Sequence, residues 1–263
     1  MLRISCIQME VIPANPQANR ERVEKWVVDE LNKNEKPDIL VLPEMWTTGY
    51  RLEALKEIAD TPNGVTYQFL SRLAKSYGVH IIGGSIAVKE GSDIYNRSLV
   101  FNREGELVYQ YDKVHLVPML NEPAYLSAGQ KKGQVFTLDG NKMGLIICYD
   151  LRFPELSRSL ALQGVQVLFI VAQWPEVRFK HWNILQQSRA IENQHYVVSC
   201  NGIGEDQGTI FAGRSKVIDP WGNILVEGTA NKEQTLSSQI DLEKVVKIRN
   251  DVPVFESRVP HLY

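Results

Sequence analysis

A thiol, a carboxylate and an ammonium group stand at the ends of three apolar runs in this chain. Cys148 closes the run Gly144, Leu145, Ile146, Ile147, and polar residues follow at once, among them Asp150, Arg152 and Glu155. Glu44 follows Ile39, Leu40, Val41 and Leu42, with only Pro43 between. Lys113 stands just beyond the run at 107–111. In open α/β sheets ligands bind at strand ends, so the three groups could converge at one edge of a sheet. Together they suit covalent catalysis, with a thiolate nucleophile, a carboxylate to take its proton and a cation to hold developing negative charge. Each also has a plainer reading. A free cysteine usually fills core space, Glu44 could cap a helix, and Lys113 could be a solvated turn residue. His115 could bond a carbonyl, or pair with the thiol, since Cys–His pairs are common nucleophile arrangements.

The elements that must position these groups follow from periodicity. Leu2, Ile4 and Cys6 alternate with polar residues as in a strand, and Val23, Trp26, Val27 and Leu31 give one apolar helix face, with Asn19 as its cap. Residues 38–42 read as a buried strand. Residues 65–77 form a helix closed by Gly78, and 79–86 a strand with Gly83 and Gly84 inside it. A hairpin is predicted from 97–101 and 107–111, turning at 102–105. Residues 112–133 carry little periodicity, as functional loops do. The strand ending at Cys148 leads to a helix through Leu156, Leu160 and Ala161, then to a strand at 165–172. A helix at 180–193, a strand at 195–200 and late strands at 214–218 and 236–240 complete the pattern. The tail from 249 to 263 shows no clear period. Alternating strands and helices without a linker predict one α/β domain over 1–263.

Composition narrows the class of function. Of 263 residues, 44% are hydrophobic and 23% charged, which suits a soluble chain with a full core. A net charge of −2 argues against nucleic acid as a partner. The longest apolar runs are too short to span a bilayer, and the N-terminus lacks the pattern of a signal peptide. Three cysteines, Cys6, Cys148 and Cys200, suggest neither a disulfide framework nor a metal site. A reduced cytoplasmic compartment fits.

Several stretches resemble the nitrilase, or carbon–nitrogen hydrolase, superfamily. They are residues 42–50 around Glu44, 111–116 around Lys113, 121–125 with Glu122, and 144–155 around Cys148. The likeness continues through His181 and Trp182, 189–194, 219–222 and 258–263, and so covers essentially the whole chain. It implies a four-layer αββα sandwich and a catalytic set of Glu44, Lys113 and Cys148, with Glu122 holding Lys113 or the substrate amide. It gives His115 no role as the base. It needs no cofactor and no metal.

An amide is a poor electrophile with a poor leaving group, so a thioester intermediate divides one hard step into two. On this reading Glu44 moves the protons, while Lys113 and the backbone N–H of Tyr149 hold the oxyanion. Within the superfamily, residues 174–182 look most like ω-amidases acting on small 2-oxo acid amides. Trp174 is then expected to wall the substrate pocket and Arg178 to hold the substrate carboxylate. The resemblance also implies at least a homodimer, built on the helix after Cys148 and the C-terminal segment. Alternatives are an N-carbamoyl amine or amino-acid hydrolase using the same residues, and a non-catalytic metabolite-binding member. Intact Glu44, Lys113, Glu122 and Cys148 argue against the last.

Overall fold

The computed structural model describes residues 1–262; Tyr263, the last residue of the C-terminal stretch above, lies outside the described residues. Strands and helices are numbered along the chain. One sheet contains β1 (Leu2–Gln8), β2 (Ile39–Val41), β3 (His80–Glu90), β4 (Asp93–Phe101), β5 (Leu107–Asp112) and, from late in the chain, β14 (Gln234–Ile240). Its order is β14-β1-β2-β3-β4-β5. The other contains β6 (Phe136–Leu138), β7 (Asn141–Ile147), β8 (Val167–Ala172), β9 (Tyr196–Asn201), β12 (Lys216–Ile218) and β13 (Ile224–Glu227), in the order β13-β12-β9-β8-β7-β6. β10 (Glu205–Asp206) and β11 (Thr209–Ile210) form a small ribbon. The helices are α1 (Pro16–Leu31), α2 (Leu55–Ile58), α3 (Val65–Tyr77), α4 (Pro154–Leu162), α5 (Phe179–Asn193) and α6 (Glu243–Asp251).

Alternation along the strands sorts side chains into layers. Ile39 and Val41 join Ile4, Cys6 and Val100 in the core that also holds Leu145, Ile147, Phe169 and Val198 of the second sheet. Leu40 and Leu42 point the other way, onto Val23 and Val27 of α1 and Leu70 and Leu73 of α3. Leu160 of α4, with Trp182 and Ala190 of α5, covers the second sheet. The result is helix, sheet, sheet, helix, the αββα sandwich expected. In each sheet the central strands run parallel: β1, β2 and β3 in one, β7, β8 and β9 in the other. β5 is antiparallel to β4, itself antiparallel to β3, so β5 leaves the sheet at the same edge as β2.

Several expectations change in detail. The cap of α1 is Asn15, whose side chain accepts from Ala18 N at 3.1 Å. Asn19 is buried inside the helix and bonds both Ile12 and Thr47, because two loop carbonyls there need a donor. β13, at four residues, and the ribbon β10–β11, at two residues a strand, are too short to show a period, and α6 occupies the start of the tail read as aperiodic. The α4 face proposed for an interface is filled from within the same chain. Leu160 and Ala161 are buried, and Leu160 closes against Gly133 and Gly144. Phe255 of the tail is half-buried between the guanidinium groups of Arg158 and Arg249.

One irregularity bears directly on the site. The β3–β4 register slips between Ile82 and Ser85, where Gly84 has φ +61°. A Cβ on Gly84 would fall 2.0 Å from the carbonyl oxygen of Pro43. The bulge lets the turn after β2 close onto β3, through Ser85 N to Pro43 O at 3.1 Å and Met45 N to Ser85 Oγ at 3.0 Å. That closure aims Glu44. Gly84→Ala is therefore expected to cost about 1–3 kcal/mol from the left-handed backbone alone, and more from the clash. Denaturant unfolding beside a turnover assay checks this; wild-type stability and activity together would contradict it.

Candidate active site

Four strand ends meet where the parallel strands of both sheets finish. Glu44 follows β2 and is fastened to the second sheet. Its backbone N–H reaches Ala172 O at 3.4 Å, its carbonyl accepts from Gln173 Nε2 at 2.8 Å, and its Oε2 accepts from Gln173 N at 2.8 Å. Lys113 extends the β5 ladder by donating its backbone N–H to Asn96 O at 2.9 Å. Its ammonium is fully buried and donates to Glu44 Oε1 and Glu122 Oε1, both at 2.8 Å. Asn96 Nδ2 also donates to Glu44 Oε1 at 2.8 Å. Glu122 lies in the turn Glu122–Ala124. It accepts from the Tyr50 hydroxyl at 2.9 Å and from Val117 N at 2.7 Å.

Cys148 begins the tight 3-10 turn Cys148–Arg152 and has φ +44°. A non-glycine residue in that region is strained by about 1–3 kcal/mol and persists only where its surroundings enforce it. Asp150 supplies the enforcement. Its buried carboxylate accepts from Ile147 N at 3.2 Å, Tyr111 hydroxyl at 2.9 Å and His115 N at 3.0 Å, and it pairs with His115 Nδ1 at 2.8 Å. The thiol turn and the lysine segment are thus tied to one carboxylate. His115 spends its ring on Asp150 and on stacking against Phe153 at 3.5 Å.

The electrostatics follow from burial. Cys148 is 2% exposed. Burial first, then the negative charge of Glu44, to which the thiol hydrogen-bonds, push its pKa well up, and Lys113 opposes them only in part. Burial also works against the Lys113 ammonium, but Glu122 and Glu44 outweigh it and hold the group above the usual lysine range. Glu122 is raised by burial, against the pull of Lys113. The resting pair is therefore a protonated thiol against a carboxylate that can receive its proton. Lys113 has a third N–H beyond the two committed to carboxylates.

The structure brings Glu44, Lys113, Glu122 and Cys148 together, from two sheets rather than from one edge of a single sheet. Tyr149 is half-buried with its ring edge-on to Phe153. Trp174 is buried, donating its indole N–H to Arg178 O at 2.9 Å and packing on Trp182. The Arg152 guanidinium lies 4.7 Å from its ring. Arg178 is half-buried at the end of the turn Glu176–Arg178. Asn96, Gln173 and Tyr50 were given no role in the sequence reading. Gln173 obeys the strand-end rule used for Glu44, so it was findable. Asn96 lies in the polar first half of β4, which periodicity did not reveal. Among the described residues, no group of three or more His, Cys, Asp or Glu side chains is arranged to hold a metal ion, and no helix is long and apolar enough to cross a membrane.

A buried thiol with a carboxylate placed to take its proton and an ammonium bonded to that carboxylate, at the joined ends of an αββα sandwich, is the equipment of an enzyme that works through a covalent thiol intermediate. Residues 3–250 match the carbon–nitrogen hydrolase family, and the chain belongs to it. It is 42% identical over 260 residues to the 2-oxoglutaramate amidase of Bacillus subtilis, covering 99% of this chain and 98% of that one. A protein of Staphylococcus lugdunensis named "Hydrolase in agr operon" is 47% identical over 232 residues, 88% of this chain and 98% of that one. The crystal structure of XC1258 from Xanthomonas campestris, a member of the same superfamily with an arsenic adduct in its active site, superposes with a TM-score of 0.90. It is 29% identical and covers 98% of this chain and 97% of that chain.

If Glu44 holds the thiol protonated, neutralising it lowers the Cys148 pKa. Glu44→Gln is expected to move the midpoint of the alkylation rate with iodoacetamide to lower pH, and Lys113→Met to move it higher. Mass spectrometry of the Cys148 peptide over a pH series reads both shifts; a midpoint that stays put in Glu44→Gln would refute the assignment.

Proposed function

We propose that the chain hydrolyses the ω-amide of a small 2-oxo dicarboxylic acid, 2-oxoglutaramate foremost, to ammonia and the free acid. The observation that carries this reading is the buried Cys148–Glu44 pair, with Lys113 bonded to Glu44, in a chain 42% identical to a 2-oxoglutaramate amidase. Cys148 Sγ attacks the amide carbon as Glu44 takes its proton. The third N–H of Lys113 and the backbone N–H of Tyr149 hold the oxyanion. Collapse breaks the C–N bond while Glu44 returns the proton to the leaving nitrogen, giving ammonia and a thioester. Glu44 then deprotonates a water that attacks the thioester, and the second collapse releases the acid and the thiol. Glu122 keeps Lys113 in place and can accept from the substrate NH2. Trp174 and Arg178 line the end of the site that receives the substrate acid.

One catalytic domain over 1–263 is part of the proposal, as is a cytoplasmic setting, which three free cysteines favour. A homodimer also belongs to it, but through α5 rather than the buried face of α4. Ile184 and Ile191, seven residues apart on α5, are 63% and 52% exposed.

Cys148→Ala is expected to abolish ammonia release from 2-oxoglutaramate, a loss of at least about 1,000-fold, since the remaining groups of a nucleophile unit give only residual catalysis. Circular dichroism should be unchanged. Retained turnover would end the covalent scheme. Light scattering at micromolar concentration should give twice the chain mass, and Ile184→Glu with Ile191→Glu should halve it. A monomeric wild type would dispose of the dimer.

A further inference from the structure

Lys113 stands between two carboxylates that are bonded alike. Glu44 Oε1 accepts from Lys113 Nζ and Asn96 Nδ2, both at 2.8 Å, and its Oε2 accepts from Gln173 N at 2.8 Å. Glu122 Oε1 accepts from Lys113 Nζ at 2.8 Å and from the Tyr50 hydroxyl at 2.9 Å, while its Oε2 accepts from Val117 N at 2.7 Å. A carboxylate oxygen has room for two donors. Each Oε1 is therefore filled by the lysine and one neutral side chain, and each Oε2 keeps one further place. On Glu44 that place is what remains for the Cys148 thiol, which hydrogen-bonds this carboxylate. On Glu122 it is open among the described residues. The neutral donor on Glu122 is a buried phenol held firmly from behind. The Tyr50 ring packs on Phe211 with centroids 6.0 Å apart, and its backbone N–H reaches Asp206 Oδ2 at 3.2 Å. Asp206 is itself ion-paired with Arg51, Nε to Oδ1 at 2.9 Å.

A substrate amide must set its carbonyl carbon in line with the thiol, and small errors of placement cost rate steeply. We infer that Tyr50 is a positioning residue for amide selection: by filling Oε1 of Glu122 it leaves Oε2 as the one place on that carboxylate for the substrate NH2. The inference rests on the amidase reading above and deepens it, since it says how the site tells an amide from an ester of the same acid. An ester brings no N–H to Oε2, and its alkoxy oxygen is repelled by the carboxylate. Without the hydroxyl, Oε1 becomes a second open place, where the NH2 settles with its carbonyl out of line. Glu122 also loses a donor to its charged form. Burial already raises its pKa, Lys113 pulls it down and Glu44 adds to the rise; the missing bond raises it further. A protonated Glu122 offers the NH2 a donor in place of an acceptor. Amide turnover that needs the charged form is present above this pKa and lost as pH falls through it, so its acid limb moves to higher pH.

The test compares 2-oxoglutaramate with the 5-methyl ester of 2-oxoglutarate in wild type, Tyr50→Phe, Glu122→Gln and the double variant, reading ammonia or methanol release. Phenylalanine fits the space of tyrosine, so circular dichroism of Tyr50→Phe should be unchanged. Its amide-to-ester ratio of kcat/KM should fall about tenfold, the scale of one hydrogen bond to a charged group. The acid limb of its amide profile should move up by about one pH unit. In the Glu122→Gln background, adding Tyr50→Phe should change the ratio no further, because the effect passes through that carboxylate. Equal losses on amide and ester, an acid limb that stays put, or an additive effect in the double variant would each overturn the inference while leaving the amidase reading intact. A wild-type enzyme that releases methanol from the ester but no ammonia from the amide would remove that reading and the inference with it.

Discussion

The Lys113 ammonium, sealed from water between Glu44 and Glu122, is the constraint to which the surrounding structure answers. An ion taken out of water loses several kcal/mol of hydration, and only close, well-bonded partners return it. Two carboxylate oxygens at 2.8 Å do so here. Each carboxylate is in turn completed by donors that cannot move away: Asn96 and the Gln173 backbone for Glu44, Tyr50 and the Val117 backbone for Glu122. The charges can be kept only as a set. Without the lysine, two carboxylates would face each other across a dry gap. This explains why residues from β4, the end of β8 and two loops crowd around one ammonium.

The nucleophile is governed by a different economy. Its thiol is held protonated by burial and by Glu44, so reactivity depends on a carboxylate poised to receive the proton as the bond to carbon forms. Its backbone sits in a left-handed conformation that Asp150 enforces from two sides. Strain of that kind places the sulfur clear of its own strand. It also makes the position of the sulfur depend on Tyr111 and His115, which belong to the segment carrying the lysine. Base, cation and nucleophile therefore share one framework even though they come from separate sheets.

Much of this was legible in the sequence, for a physical reason. Strands buried on both faces are continuous apolar runs, and the first polar residue after each run marks the edge of the sheet. Glu44 and Cys148 carry that mark, whereas Lys113 comes one residue after Asp112 at the end of β5, a largely exposed edge strand. What escaped was whatever lacks periodicity. Asn96 sits in a strand whose first half is polar. Asn19 looked like a cap because caps and buried loop ties use the same side chain. The helical period through Leu156, Leu160 and Ala161 was real, but a period says only that a face is covered, not by what, and here the chain covers it itself. That the three chemical groups come from two sheets was beyond reach, since strand order does not show in a local pattern.

The fastening of Glu44 to Gln173 has a consequence for how the protein comes into being. The two residues are 129 positions apart, so the base is synthesised long before the backbone that orients it. A nascent chain emerging from the ribosome carries β1 to β5 with an unfinished charge cluster and an open face of Ile39, Val41 and Val100 awaiting the second sheet. Closure over such sequence distances is slow compared with local folding. During translation the first half is thus an exposed apolar surface in need of cover, and hydrolytic competence arrives in one late step, when β7 and β8 dock.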